Sequence, residues 1–400
     1  MENKRMEYDF DTVIDRRNTG SLKWDVAEQE LPMWVADMDF QTAPEIREAL
    51  QKRMDHGVFG YSILPDTWYE AYIGWWQRRH QFTIEKEWLI FTTGVVPAIS
   101  SAVRKFTTPG EKVLVQTPCY NIFFNSILNN GRVPVEHHLI YHENGYEVDW
   151  EQLERQLADP QVSLMILCNP HNPVGKIWDR ETLARMGTLC AKYHVIVLSD
   201  EIHCDLTEPG KEYVPFASVS DTCRSISISC VAPTKTFNIA GLQTAAVFVP
   251  DELLRHRMWR ALNTDEVAEP NAFAVEAAIA AFTKGEPWLE ALREYLAENK
   301  RVVKTFLRER LPQITVQPCE ATYLMWLNCA AISPDSVSLC AYIRADSGLY
   351  VSEGREFGTN GAAFIRLNTA CPRSVLMDGL NRLAESIGHY EQENCKQTLQ

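Results

Sequence analysis

Apolar positions along this chain fall into two alternating patterns, short continuous runs and longer stretches with helical spacing. Residues 89–93, 112–117, 163–168, 195–199, 225–231 and 244–249 read as strands. Segments of helical period, such as 181–193, separate most of them. Buried strands joined by helices predict an α/β fold, a mostly parallel sheet covered on both faces. A turn at Gly94 leads into a predicted helix from 97 to 106. Thr42-Ala-Pro-Glu45 has the form of a capping box with proline in the first turn, and Gly57 is the expected stop of that helix.

The rhythm changes at Gly285-Glu-Pro287. A long amphipathic helix is predicted over 288–311, then strands at 322–327 and 362–368 and helices at 335–345 and 373–390. The expected organisation is therefore a large α/β domain over 61–285 and a smaller α+β domain over 286–400. Residues 1–60 lack the strand–helix rhythm and are expected to pack with the small domain and a partner subunit. The polar tail from Gln392 is expected to fray.

Composition narrows the function. A chain of 400 residues, 46% hydrophobic and 23% charged, can build a large core and is not a disordered one. Its net charge of −14 argues against a sequence-independent nucleic-acid binder. The charged start and the lack of any long apolar run predict no leader, no membrane partner and a cytoplasmic protein. The eleven cysteines are scattered, with no C-x-x-C pair, and are expected to be small buried thiols in a reducing compartment. Adjacent His137 and His138 would point to opposite sides of a strand, and no zinc-type spacing is present, so no metal site is expected. Neither a G-x-G-x-x-G nor a phosphate loop of the G-x-x-x-x-G-K type occurs.

In an open parallel sheet, ligands sit beyond the carboxyl ends of the strands. Five predicted strand ends carry chemistry in turn: Gly94-Val95-Val96, Tyr120, Asn172, Asp200 with His203, and Thr234-Lys235. A glycine turn into a helix offers amides to a phosphate. An aromatic can stack on a flat ring, a carboxylate can pair with a pyridinium nitrogen, and Asn and His can bond a ring oxygen. A lysine can form a Schiff base with an aldehyde. Phosphate, ring nitrogen, ring oxygen and aldehyde together describe pyridoxal 5'-phosphate (PLP).

These residues also carry a family resemblance. The chain resembles the fold-type I, aspartate-aminotransferase-like PLP enzymes, and within them the MalY/PatB-like branch of bacterial cystathionine β-lyases, or C–S lyases. The resemblance runs nearly end to end through KWD (23–25), PMWVADMDF (32–40), HGVFGYS (56–62), NPHNPVGKIW (169–178), SDEIHCDL (199–206), APTKTFNIAGLQ (232–243) and IRLNTACPRS (365–374). Each motif is weak alone; their order and spacing make the combination specific.

The resemblance implies roles. Lys235 is the Schiff-base lysine and the base at the substrate Cα. Asp200 pairs with the pyridine nitrogen, and His203, where many relatives carry Tyr, supports the ring oxygen or Asp200. Asn172 bonds the ring oxygen and the substrate carboxylate, and Tyr120 stacks on the ring. Gly94, Val95, Val96 and Thr234 serve the phosphate. Tyr61 joins Lys235 in the catalytic set by reaching the phosphate across a homodimer interface. Arg366 clamps the α-carboxylate, and Ala36 closes over the substrate. Many relatives hold the phosphate with a Ser three residues before the lysine and an Arg eight after it; this chain has Ala232 and Gln243 there. The implied activity is β-elimination at L-cystathionine or a related cysteine S-conjugate. An aminotransferase would use the same residues, and a regulatory binding protein would retain them.

Overall fold

The apolar runs assemble into one seven-stranded sheet. The computed structural model describes residues 8–398, and its central strands are β1 (Leu89–Thr92), β2 (Lys112–Thr117), β3 (Val133–His138), β4 (Val162–Cys168), β5 (Ile196–Asp200), β6 (Ser227–Val231) and β7 (Ala245–Phe248). Their spatial order is β1-β7-β6-β5-β4-β2-β3. Neighbours are parallel except at β7, which is antiparallel to both β1 and β6. β1 thus points the same way as β6, and six carboxyl ends share one edge, five of which, those of β1, β2, β4, β5 and β6, lead into the candidate residues. Register levels three of them: Cys168 pairs with Asp200, and Asp200 with Cys230.

Several strand ends of this sheet shift by one residue from the sequence reading, and two differences are larger. β3 was not expected, because Val133-Pro-Val-Glu-His-His138 is polar and holds a proline; it is an edge strand, where both are tolerated. β6 starts at Ser227 because Asp221–Ser225 forms a short helix whose cap, Ser220, accepts the Cys223 amide.

The helices that frame the site are α1 (Pro44–His56), α2 (Asp66–His80), α3 (Val95–Phe106), α4 (Arg180–Lys192) and the four-residue α5 (Pro233–Thr236). The capping box expected at α1 does not form. Ala43 is the N-cap, no side chain caps the first turn, and the Thr42 hydroxyl is buried without a partner. Gly57 does end α1, in the left-handed region at φ 72°. α3 starts at Val95 rather than Pro97, since a proline within the first turn loses no intrahelical bond. α2 buries Trp68, Ala71, Tyr72, Trp75 and Trp76, an i, i+3, i+4, i+7, i+8 stripe.

A second sheet follows, built from β8 (Thr315–Val316), β9 (Leu324–Asn328), β10 (Ser352–Glu353) and β11 (Phe364–Asn368). It is antiparallel, in the order β8-β9-β11-β10. Around it lie α7 (Glu286–Arg310), α8 (Ser336–Ser347) and α9 (Arg373–Thr398), whereas α6 (Ala274–Lys284) packs on α1 and α2 beside the large sheet. α9 runs through the stretch expected to fray. Tyr390 meets Tyr342 edge-on at 5.1 Å and His389 pairs with Asp346, contacts with α8 made just before that stretch, and residues 391–395 are exposed.

The N-terminal segment serves both sheets. Leu31–Pro32 pairs in parallel with Leu349–Tyr350 beside the small sheet. α1 instead packs on α6, with Ile46 in one core with Ala277 and Ala278. Among the described residues no helix is long and apolar enough to cross a membrane. All eleven cysteines are free thiols, ten of them buried.

Candidate active site

Lys235 sits in α5, directly after β6, and is half-buried. Loss of water around its ammonium pushes its pKa down to about 8, a shift that Arg366 reinforces and that Asp37 and Asp200 oppose. Its Nζ donates to the Ala36 carbonyl at 2.5 Å. Asp200 ends β5 and is buried; burial raises its pKa to about 6, against the pull of the Ile202 amide and of Lys235. Its carboxylate accepts the Ile202 N–H at 3.2 Å.

His203 lies in the turn after β5, buried, with Nδ1 lacking any hydrogen-bond partner. Burial, with the positive fields of Lys235 and Arg366, lowers its pKa to about 3, so the imidazole is neutral. Next to Asp200, Glu201 is buried as well, bonded by Ser199 Oγ, the Phe216 amide and the Tyr213 hydroxyl. Burial still raises its pKa to about 7.

Arg366 reaches the same place from β11. It is 5% exposed; one Nη donates to Asn172 Oδ1 at 3.3 Å, and the other to the Trp34 carbonyl at 2.9 Å and Ser352 Oγ at 3.4 Å. Its guanidinium lies 4.6 Å from the centre of the Phe357 ring, and its Nε is buried without a partner. Asn172 is itself buried in the turn after β4. Burial raises the phenol pKa of Tyr120, which feels the charges of Arg366 and Asp200 and packs against Phe123. Gly94 is the N-cap of α3 and brings no side-chain cap to the first-turn amides of Val95 and Val96. Thr234 is buried beside Lys235.

Lys235, Asp200, His203, Asn172, Tyr120 and Arg366 are thus brought together by contact or electrostatic reach. Tyr61 is not: it is fully exposed, in the middle of the irregular stretch 57–65, with Val58, Phe59 and Ile63 also exposed. Ala36 belongs to the site through its backbone rather than its methyl. The carbonyls of four consecutive residues are held by site side chains: Trp34 by Arg366, Val35 and Asp37 by Asn368 Nδ2 (2.6 Å each), and Ala36 by Lys235 and the Tyr323 hydroxyl (2.9 Å). Asn238 continues the pattern on Met38 and Phe40. On the outer side Lys23, Arg16 and Trp24 grip Asp39 at 2.7 Å each, and Arg16 grips Asp37 at 2.6 Å. The segment 34–40 is therefore a strap across the site.

Sequence reasoning missed Tyr323, Asn368, Asn238 and Ser352. Asn368 had a signal, because it lies two residues after Arg366 on the same strand face. Asn238, three residues after Lys235, adopts φ 55°, a position where Asn is tolerated.

The donor set fits PLP. Asp200 is a buried carboxylate with no cation bonded to it among the described residues, which suits a protonated ring nitrogen. His203 Nδ1 and Arg366 Nε are buried polar atoms awaiting a partner. At the phosphate end Ala232 is buried and apolar and Gln243 is exposed, so neither places a charge there.

Residues 31–383 match the family described as aminotransferase class I and II. The chain belongs to that family. It is 42% identical over 384 residues to cystathionine β-lyase PatB of Bacillus subtilis, covering 94% of this chain and 99% of the relative. It is 33% identical over 388 residues to protein MalY of Escherichia coli, covering 95% and 99%. Among solved structures it resembles cystalysin of Treponema denticola, which contains PLP, with a TM-score of 0.93, 34% identity and coverage of 96% and 100%. The family's fold is the one the strand-end reading anticipated, an α/β large sheet with a smaller α+β unit.

Proposed function

We propose that this protein is a PLP-dependent carbon–sulfur lyase that catalyses β-elimination of L-cystathionine or related cysteine S-conjugates, giving a thiol, pyruvate and ammonia. One observation carries the reading: a desolvated lysine, a buried unpaired carboxylate and a buried arginine converge at one sheet edge. The chain that holds them is 42% identical to a cystathionine β-lyase over nearly its whole length.

Bound PLP supplies the sink for the electrons released at the substrate Cα. The chain's own groups do the rest. Asp200 holds the charge of the ring nitrogen, Tyr120 covers a ring face, and Asn172 and His203 serve the ring oxygen. The first amides of α3 at Gly94, Val95 and Val96, with the Thr234 hydroxyl, take the phosphate. Arg366 binds the α-carboxylate with its planar fork. Lys235 Nζ removes the Cα proton, and a pKa near 8 makes it an effective base at neutral pH. The thiolate then leaves Cβ, and the released enamine hydrolyses to pyruvate and ammonia.

Tyr61 enters this scheme from a second copy of the chain. The exposed apolar run at Val58, Phe59, Tyr61 and Ile63, next to a groove lined by Leu50, Met54, Leu242 and Phe273, supports a homodimer with shared sites. The free buried thiols support a cytoplasmic setting.

The direct test is incubation of the PLP-loaded protein with cystathionine and no 2-oxo acid. Equimolar pyruvate and homocysteine are expected, and Lys235→Ala removes both the visible absorbance of the bound cofactor and the products. Turnover that requires a 2-oxo acid and yields no pyruvate would replace the lyase by an aminotransferase.

A further inference from the structure

Lys235 is carried by a helix too short to hold itself in place. α5 has four residues, with backbone bonds from the Phe237 amide to the Pro233 carbonyl at 2.9 Å and from the Ile239 amide to the Thr234 carbonyl at 3.0 Å. One turn is far below the length at which a helix is stable by its own bonds. Its orientation must come from outside, and the residue next to Lys235 supplies an anchor. Thr236 is fully buried, and its hydroxyl donates to Asp205 Oδ2 at 3.0 Å.

Asp205 is 1% exposed and is met by three side chains of α2. Trp75 Nε1 donates to its two oxygens at 3.0 and 3.2 Å, His80 Nε2 lies 3.0 Å from Oδ1, and the Arg79 guanidinium lies 3.5 Å from the same oxygen. Burial pushes the Asp205 pKa up, but His80, Arg79 and Thr236 outweigh it and hold the carboxyl below its ordinary range. An ionised carboxylate only accepts, so every one of these contacts turns a donor toward it. Arg79 is tied in its turn to Glu286 at 2.9 Å and Glu290 at 2.7 Å. His80, Cys204 and Asp205 bring ligand atoms within 4.8 Å of one another. The carboxylate oxygens are already filled, however, and a guanidinium stands beside them, so the cluster is a hydrogen-bond hub rather than a metal site.

Asp205 belongs to the same turn as Asp200. That turn leaves β5 and is closed by the Cys204 amide on the Glu201 carbonyl and the Leu206 amide on the His203 carbonyl, each at 3.0 Å. One short segment thus offers two buried carboxylates, Asp200 for the ring nitrogen and Asp205 for the helix that bears the lysine.

We propose that Asp205 is a positioning residue: through Thr236 it fixes α5, and with it the direction of the Lys235 amine, relative to Asp200. This rests on the reading of Lys235 as the residue that binds PLP and takes the Cα proton.

Thr236→Val keeps the shape of the side chain and removes the donor; Thr236→Ser keeps the donor. PLP uptake by the cofactor-free protein, followed by stopped-flow absorbance, should slow about ten-fold in Thr236→Val and return to the wild-type rate in Thr236→Ser, because a slightly misplaced reacting group is costly. With the holoenzymes, kcat for cystathionine should fall by a similar factor in Thr236→Val while KM stays within about two-fold, since Arg366 stands on β11. A role in stability alone would move the denaturation midpoint and leave both rates of the folded protein unchanged, and that result overturns the proposal. A Thr236→Ser protein as slow as Thr236→Val overturns it too.

Should valine not be tolerated, Thr236→Ala and Thr236→Ser differ in the same hydroxyl, and equal uptake rates for the two count against the proposal. Adding Thr236→Val to Asp205→Ala should cost little beyond Asp205→Ala alone, because both changes break one bond; additive losses would separate Thr236 from Asp205 and reject the assignment. If the wild type takes up PLP and forms no pyruvate from cystathionine, the lyase reading fails, and the uptake rates still decide the role of Asp205.

Discussion

Lys235 shows how one side chain acquires its reactivity from its surroundings. Removing water from the ammonium outweighs the pull of Asp37 and Asp200 and leaves a pKa of about 8 instead of 10.5. Uptake of PLP by the cofactor-free protein needs the free amine, so its rate should rise with pH through about 8. Stopped-flow absorbance across the alkaline range checks this, and a midpoint near that of an ordinary lysine would contradict it. Arg366 is the complementary case, a cation that stays charged in a buried place because carbonyl, amide and hydroxyl oxygens surround it. Arg366→Lys keeps the charge and loses the fork, so KM for cystathionine should rise about ten-fold or more with a smaller change in kcat. An unchanged KM would remove Arg366 from substrate binding.

At the scale of elements, the turn after β4 ties the two sheets together. Gly175 stands at φ 68°, and a Cβ there would lie 2.9 Å from both the Ala321 carbonyl oxygen and the Cys319 Cα. The Ala321 amide also donates to the Gly175 carbonyl at 3.0 Å, just ahead of Thr322 and Tyr323. Both close neighbours are backbone and cannot swing aside. Gly175→Ala should therefore destabilise the protein by about 2 kcal/mol or more, read from the midpoint of chemical denaturation. A midpoint within error of the wild type would show that the turn relaxes. The strap at 34–40 is an element of another kind, irregular backbone held on one side by Arg366, Asn368, Lys235 and Tyr323 and on the other by Lys23 and Arg16. The KWD and WVADMDF motifs are two halves of that one arrangement.

Across the whole molecule, the site imposes a cost that depends on pH. Asp200 is raised from 3.8 to about 6 and Glu201 from 4.5 to about 7, both chiefly by burial. Folded-state values above the unfolded ones mean that the folded chain holds more protons in this window. The stabilising contribution is complete below the unfolded pKa and is lost as pH rises through the folded one. For Asp200 alone the shift corresponds to about 3 kcal/mol. The stability of cofactor-free wild type minus that of Asp200→Asn should fall by roughly that amount between about pH 4 and pH 7. Denaturant titrations at several pH values give the difference, and a flat difference would mean that Asp200 is not desolvated. With PLP bound the fall should shrink, because the ring nitrogen supplies the missing cation.

The sequence by itself determined six of the seven central strands, their mostly parallel arrangement and the chemistry at their ends; the polar edge strand β3 escaped it. Apolar runs such as Leu164–Leu167 have few ways to be buried, and helical crossovers between them make neighbours parallel, so Asp200, Asn172 and Lys235 share an edge. It also placed Arg366 on a strand of the second unit. Only the tertiary structure decided what the strap does, since its grip is made through backbone carbonyls that every residue carries, and side-chain identity does not encode them. The same holds for the failed cap at Thr42, whose hydroxyl is buried, and for Tyr323 and Ser352, which reach the strap and Arg366 from the second unit. In each case burial and neighbours distant in sequence set the outcome, and local pattern does not report them.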